Sequence, residues 1–381
     1  MEHIYLDHNA TTPIDDAVFE AMLPYLRGSY GNASSRHELG TAARKAVNLA
    51  REQVAALVKV QPPQVIFVSG GTEANNFFIK GAAGYLKAAQ IAVSAVEHPC
   101  VAKPAQELAR QGWKLRRIAV GADGRVDLLD VEKALEEPTG IVSLMLANNE
   151  TGVIQPVAEV AERARRAKAW MHTDAVQALG KVAVDFEALG VHAMTLSAHK
   201  LYGPKGAGAL VVDKRLQLRP LIHGGGHEQG LRSGTENVAA IVGFGAACQL
   251  AGSRLETIGP RLEQLRGRLE EGLRALGASI FGARAPRIPN TSYFAFKGVE
   301  GETLVIELDR AGFAVAPGAA CSSANPEPSA TLLAMNVEPE LARGAVRLSL
   351  GIGNTLREVD DFLLALKAVL SRLKGLTAMA V

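Results

Sequence analysis

One lysine in this chain has a setting that an ordinary surface lysine does not need. Lys200 ends the apolar run 193–200, which reads as a buried strand, and a Gly-Pro-rich turn follows it at 203–208. A phosphate-binding lysine of the P-loop type would need GxxxxGK followed by Ser or Thr, and Lys200 and Lys205 both lack it. Asp174 ends a second such run, 169–175, so its carboxylate emerges deep at a strand end. Ser69-Gly70-Gly71-Thr72 leads from a strand into a helix beginning near Thr72. Backbone N–H groups and a hydroxyl there suit a phosphate, although an N-cap box at Thr72 would explain the same residues. Glu97-His98 and Asn148-Asn149-Glu150 end two further runs. In an open α/β sheet, ligands bind outside the carboxyl ends of the strands. Five polar clusters at such ends strain a purely structural account.

These residue types match the needs of pyridoxal 5'-phosphate (PLP) chemistry. That cofactor requires a lysine for its aldehyde, an anion at the pyridinium nitrogen, a phosphate cradle and a flat group against the ring. Lys200, Asp174, Thr72 and His98 would supply the four. A metal reading fails: His223 and His227 have zinc-like spacing, but the three glycines between them argue against a helix. No GxGxxG opens a helix after a strand, so a dinucleotide site has no support. Of the three cysteines, Cys248 lies in an apolar helical pattern and reads as core. Cys321 lies in 317–326, a stretch without apolar periodicity that reads as a loop. Cys100, two residues after His98, is open to either reading.

The elements that must position these groups alternate. Strand-like runs at 64–71, 91–99, 140–150, 169–175, 193–200 and 208–213 are separated by helical patterns such as 156–169. Strands apolar on both faces and separated by helices imply a mostly parallel sheet with flanking helices. After 236–251 the texture changes to charged helices and short strands. The expectation is an α/β chain of two domains: 14–255, large and ligand-binding, and 1–13 with 256–381, a smaller α+β domain carrying the Cys321 loop. The 381 residues include 41 basic and 39 acidic ones, spread along the chain, which argues against nucleic acid as a partner. Three cysteines point to a reducing compartment, no signal peptide is visible, and no apolar run approaches a membrane span. A cytoplasmic protein is expected.

The order and spacing of "YLDHNATTP" (5–13), "SGGTEANN" (69–76), "NNETG" (148–152), "TDAVQALGK" (173–181), "SAHKLYGPKG" (197–206), "HGGGHEQGLRSGTENV" (223–238), "PGAACSSA" (317–324) and "VRLSLG" (346–351) resemble one family nearly end to end. It is the cysteine desulfurases, class V members of the fold-type I PLP enzymes, of the group that feeds iron–sulfur cluster assembly. The resemblance implies that Lys200 bonds the cofactor, Asp174 holds its ring nitrogen, and His98 stacks on the ring and handles protons. Gln177 would bond the phenolic oxygen. Gly71, Thr72, Ser197 and His199 would bind the phosphate, joined by Thr235 from a partner subunit, which implies a homodimer. Asn149 and Arg347 would orient the carboxylate of L-cysteine. Cys321 would accept the sulfur as a persulfide, leaving L-alanine, for a scaffold or other acceptor protein. Within the same class a selenocysteine lyase and an aminotransferase are the alternatives; the family pattern gives Cys100 no role.

Overall fold

The computed structural model describes residues 3–318 and 327–379, with side chains through residue 373. The chain opens with the short strand Ile4–Tyr5 (β1) and the helices Asp16–Arg27 (α1) and Glu38–Leu57 (α2). Strands and helices then alternate: Val65–Val68 (β2), Gly71–Ala83 (α3), Gln90–Ser94 (β3), Pro99–Arg110 (α4), Lys114–Ile118 (β4) and Leu128–Leu135 (α5). Thr139–Ser143 (β5), Val157–Arg166 (α6), Trp170–Asp174 (β6), Phe186–Leu189 (α7), Ala193–Ser197 (β7) and Gly208–Val212 (β8) complete the series.

The seven strands from β2 to β8 form one sheet in the order β2-β8-β7-β6-β5-β3-β4. Only β8 runs against its neighbours; the other pairs are parallel. β2, β7 and β8 are short, largely apolar runs buried along their whole length, as a sheet covered by helices on both faces requires. β4, Lys-Leu-Arg-Arg-Ile, is the exception and is absent from the sequence expectations. It occupies the sheet edge, where charge is tolerated and disfavours further pairing. The run 140–150 keeps strand geometry only through Ser143; Leu144 to Ala147 stay buried while the backbone turns toward the site.

The helix Val238–Ala275 (α8) joins the 236–251 and 261–276 patterns and passes unbroken through 255–256. Its first half lies against α1 and α2 at glycine contacts. A Cβ at Gly245 would stand 2.6 Å from Ala50 Cα, and one at Gly243 would stand 2.5 Å from Met22 Sδ. By length and composition this helix is apolar enough to cross a membrane, contrary to the expectation from the sequence. Its apolarity is spread over small residues, Ala and Gly, that serve close helix packing, and Ala240, Ile241, Phe244, Ala247 and Cys248 join the main core.

The remaining elements are Ser279–Ile280 (β9), Thr291–Ala295 (β10), Gly301–Arg310 (α9), Phe313–Ala314 (β11), Ala316–Pro317 (β12), Ala330–Ala334 (α10), Pro339–Arg343 (α11), Val346–Ser349 (β13) and Leu356–Met379 (α12). α10 and α11 join the main core through Leu332 and Ala342, while β10, α9, β11, β13 and α12 contribute to a second core. β12, β13, β10 and β9 form an antiparallel sheet, and β1 pairs with β11. Leu6 belongs to this second core, so the N-terminal strand leads directly from it to the site.

Candidate active site

The carboxyl ends of β2, β3, β6 and β7 open into one cavity of about 360 Å³. Gly71, Thr72, His98, Asn149, Asp174, Gln177, Ser197, His199, Lys200 and Arg347 all line it, together with Asn9 and Cys100. Ten of the twelve residues expected from the sequence therefore meet. Thr235 does not: it is exposed on the single chain and lines no part of the cavity. Cys321 lies outside the described residues.

Each group is placed by a local turn. β7 ends at Ser197 and the 3-10 turn Ala198–Lys200 carries Lys200 into the cavity. There Nζ donates to the carbonyls of Asn9 and Ala10 at 2.5 and 2.6 Å. Burial, then the Arg347 charge, lower its pKa from 10.5 to about 8. At neutral pH a useful fraction of the amine is thus unprotonated. Asp174 ends β6, with Oδ2 accepting from Asn75 Nδ2 at 2.7 Å and Oδ1 from the Val176 N–H at 3.0 Å. Burial pushes its carboxyl above the usual carboxylate range, against the pull of those two bonds. Such a carboxyl gains from a cation brought against it.

His98 caps α4, its Nδ1 accepting the Cys100 N–H at 3.2 Å. Burial and the nearby Lys200 lower its pKa, and Asp174 partly offsets them. His199 is lowered to about 4, first by burial and then by Lys200 and Lys205, and bonds Thr11 through Nδ1 at 3.1 Å. Arg347, on β13, is held by Asp7 at 2.6 Å and by the Asn149 carbonyl at 3.1 Å. Its Nε is buried and has no partner among the described residues.

The start of α3 rules out Thr72 as the N-cap. Gly70, not Thr72, is the N-cap, and no side chain caps the helix. Glu73 instead accepts the Ser69 N–H at 2.8 Å and pairs with Arg232 at 2.7 Å. Beside this uncapped N-terminus, Ser197 Oγ is buried with no partner among the described residues. Backbone donors at a helix start and an unpartnered hydroxyl are a donor set for an anion. A Cβ at Gly71 would stand 3.0 Å from Val176 Cγ2, so a larger residue would crowd the cradle.

The family profile described as Aminotransferase class-V matches residues 4–362. The chain belongs to that family. A cysteine desulfurase IscS of Dictyoglomus turgidum is 42% identical over 98% of this chain and 96% of its own length. A cysteine desulfurase of Bradyrhizobium diazoefficiens is 43% identical, covering 98% of this chain and 95% of its own. The solved structure of a NifS-like protein superposes with a TM-score of 0.92 at 38% identity, over 97% of this chain and 99% of that one. SspA in complex with cysteine superposes with a TM-score of 0.81 at 30% identity, over 91% and 98% of the two chains. The cofactor of this class V chain is PLP. The residues fit it: an uncapped helix start and orphaned hydroxyl for a phosphate, a buried acid for a ring nitrogen, and a lysine with a lowered pKa for an aldehyde.

Sequence reasoning missed three residues that hold the others. Asn9 is buried, and its carbonyl accepts from both Lys200 and Gln177 Nε2, the latter at 2.9 Å. Lys181, wholly buried with its pKa driven down by burial, donates to Asn9 Oδ1 at 2.9 Å and Gln177 Oε1 at 2.8 Å. Asn75 stands between Asp174 and Cys100. All three lie inside motifs that drew notice for other residues. Lys181 alone carried a signal, an amine four residues after Gln177 and so on the same side of a helical turn.

Proposed function

We propose that this protein is a PLP-dependent cysteine desulfurase that converts L-cysteine to L-alanine and passes the sulfur on as a persulfide. What carries the reading is the meeting of Lys200, Asp174, His98 and Arg347 around one cavity, in a chain about 40% identical to cysteine desulfurases over nearly its whole length. When bound, PLP supplies an aldehyde that takes up an amine and a cationic ring that draws electron density from the substrate Cα.

The chain's own groups do the rest. Lys200 would hold the cofactor and take the substrate Cα proton at Nζ; the lowered pKa leaves the lone pair available. Asp174 would keep a proton on the ring nitrogen, and Asn75 holds its carboxylate in place. His98 would stack on the ring face and handle a proton at Nε2. Gln177 would hold the phenolic oxygen, and Gly71, Thr72, Ser197 and His199 would hold the phosphate. Arg347, already pinned by Asp7, offers Nε and its terminal nitrogens to the substrate carboxylate beside Asn149.

Cys321 accepts the sulfur and carries it to an acceptor protein, such as an iron–sulfur scaffold, in the cytoplasm. Two chains form a homodimer in which Thr235 reaches the partner's phosphate. Purified enzyme given L-cysteine and a thiol should release sulfide and alanine in equal amounts. Release from L-selenocysteine alone would make it a selenocysteine lyase, and alanine made only with a keto-acid acceptor would make it an aminotransferase.

A further inference from the structure

The third cysteine has a task that neither catalysis nor the core assigns it. We propose that Cys100 is a positioning residue whose thiol fixes the tautomer and plane of His98 and links that ring, through Asn75, to Asp174. The proposal rests on the reading of His98 as the residue facing the cofactor ring.

Nδ1 of His98 accepts the backbone N–H of Cys100 at 3.2 Å. A backbone amide can only donate, so Nδ1 is the bare nitrogen of the neutral ring and the proton sits on Nε2. Sγ of Cys100 lies 2.8 Å from the same Nδ1. Facing a nitrogen without a proton, the sulfur must be the donor. On its other side Sγ accepts from Asn75 Nδ2 at 2.9 Å, and that same amide donates to Asp174 Oδ2 at 2.7 Å. Four side chains from α3, α4 and β6 thus form one hydrogen-bonded line from the acid meant for the ring nitrogen to the histidine meant for the ring face.

The surroundings suit a donor and not a nucleophile. Burial, then the carboxyl of Asp174, push the Cys100 thiol up to about 12, so it keeps its proton at working pH. A sulfur acceptor has to be a thiolate, and Cys100 is held in the opposite state. The charged groups acting on His98 are Asp174 from β6 and Lys200 from the turn after β7. With Nδ1 engaged by two donors, the ring stays neutral and presents Nε2–H, which has no partner among the described residues, to the cleft. Held this way, His98 gives a proton to the cleft and takes none up at Nε2.

The test uses cofactor-free full-length protein labelled with ¹⁵N-histidine, with the His98 signals assigned by their loss in His98→Gln. Two-bond ¹H–¹⁵N spectra should show the Nε2–H tautomer and a titration midpoint below that of an ordinary histidine. Cys100→Ala removes a bond that favours the neutral ring, so the midpoint should rise by about 0.5 to 1 pH unit. Cys100→Ser keeps a donor and should stay within about 0.3 of the parent. An Nδ1–H tautomer in the unaltered protein overturns the proposal, and needs no variant to fold. So does an alanine variant that titrates like the parent. These readouts precede any turnover, so a protein that lacked desulfurase activity yet gave this pattern would separate the two conclusions.

Discussion

Replacing Lys200 with methionine removes an amine that the fold buries at a cost, and the cost can be measured without cofactor or substrate. Burial first, and the Arg347 charge second, lower the folded-state pKa from 10.5 to about 8. Below pH 8 the amine is protonated in both the folded and the unfolded chain, so folding carries the whole penalty of confining that charge. The gap of about 2.5 in pKa corresponds to about 3 kcal/mol. As pH rises through 8 the folded amine loses its proton first and the penalty shrinks. It vanishes above 10.5, where the unfolded amine is neutral too. The unfolding free energy of the parent minus that of Lys200→Met should therefore climb by about 3 kcal/mol between pH 7 and 10.5. Urea unfolding of both cofactor-free proteins, at equal concentration and at half-unit pH steps, reads this difference. Groups distant from Lys200 cancel in it. A flat difference, or one that falls with pH, would refute the claim that the site holds Lys200 with a lowered pKa.

Asp174→Asn should retain part of its PLP yet lose at least about a hundredfold in turnover, because an amide cannot hold the ring nitrogen as a cation. Turnover near the parent's would reduce Asp174 to a structural partner of Asn75. Arg347→Lys keeps the charge but loses the fork that Asp7 and the Asn149 carbonyl now hold. KM for L-cysteine should rise about tenfold or more with a smaller change in kcat, and an unchanged KM would exclude Arg347 from carboxylate binding. Sedimentation of the PLP-loaded enzyme should give a dimer. A fully active monomer would remove Thr235 from the site.

The strand-end clusters were readable because each combines a buried apolar run with a polar residue that no core explains. Lys200, Asp174, His98 and Arg347 accordingly meet where expected, around one cavity. β4 escaped notice because its Lys-Leu-Arg-Arg-Ile pattern is that of a surface segment, and only its edge position makes it a strand. The apolar length of α8 was hidden by small residues whose packing value depends on which helix lies against them. Asn9 bonds Lys200, Gln177 and Lys181, and Asn75 bonds Asp174, across 99 to 191 positions of sequence, and such pairings leave no local pattern. The weighing of Thr72 as an N-cap turned on one backbone position, since Gly70 takes that place.

In the proposed function, sulfur leaves L-cysteine and arrives on Cys321. Brief exposure of the PLP-loaded enzyme to L-cysteine, followed by alkylation and mass spectrometry of its peptides, tests it most directly. One added sulfur is expected on the peptide containing Cys321, with one alanine released for each. Cys321→Ser should still bind PLP and L-cysteine but gain no sulfur and form little alanine. Sulfur on Cys100 instead, or normal turnover in Cys321→Ser, would contradict the account.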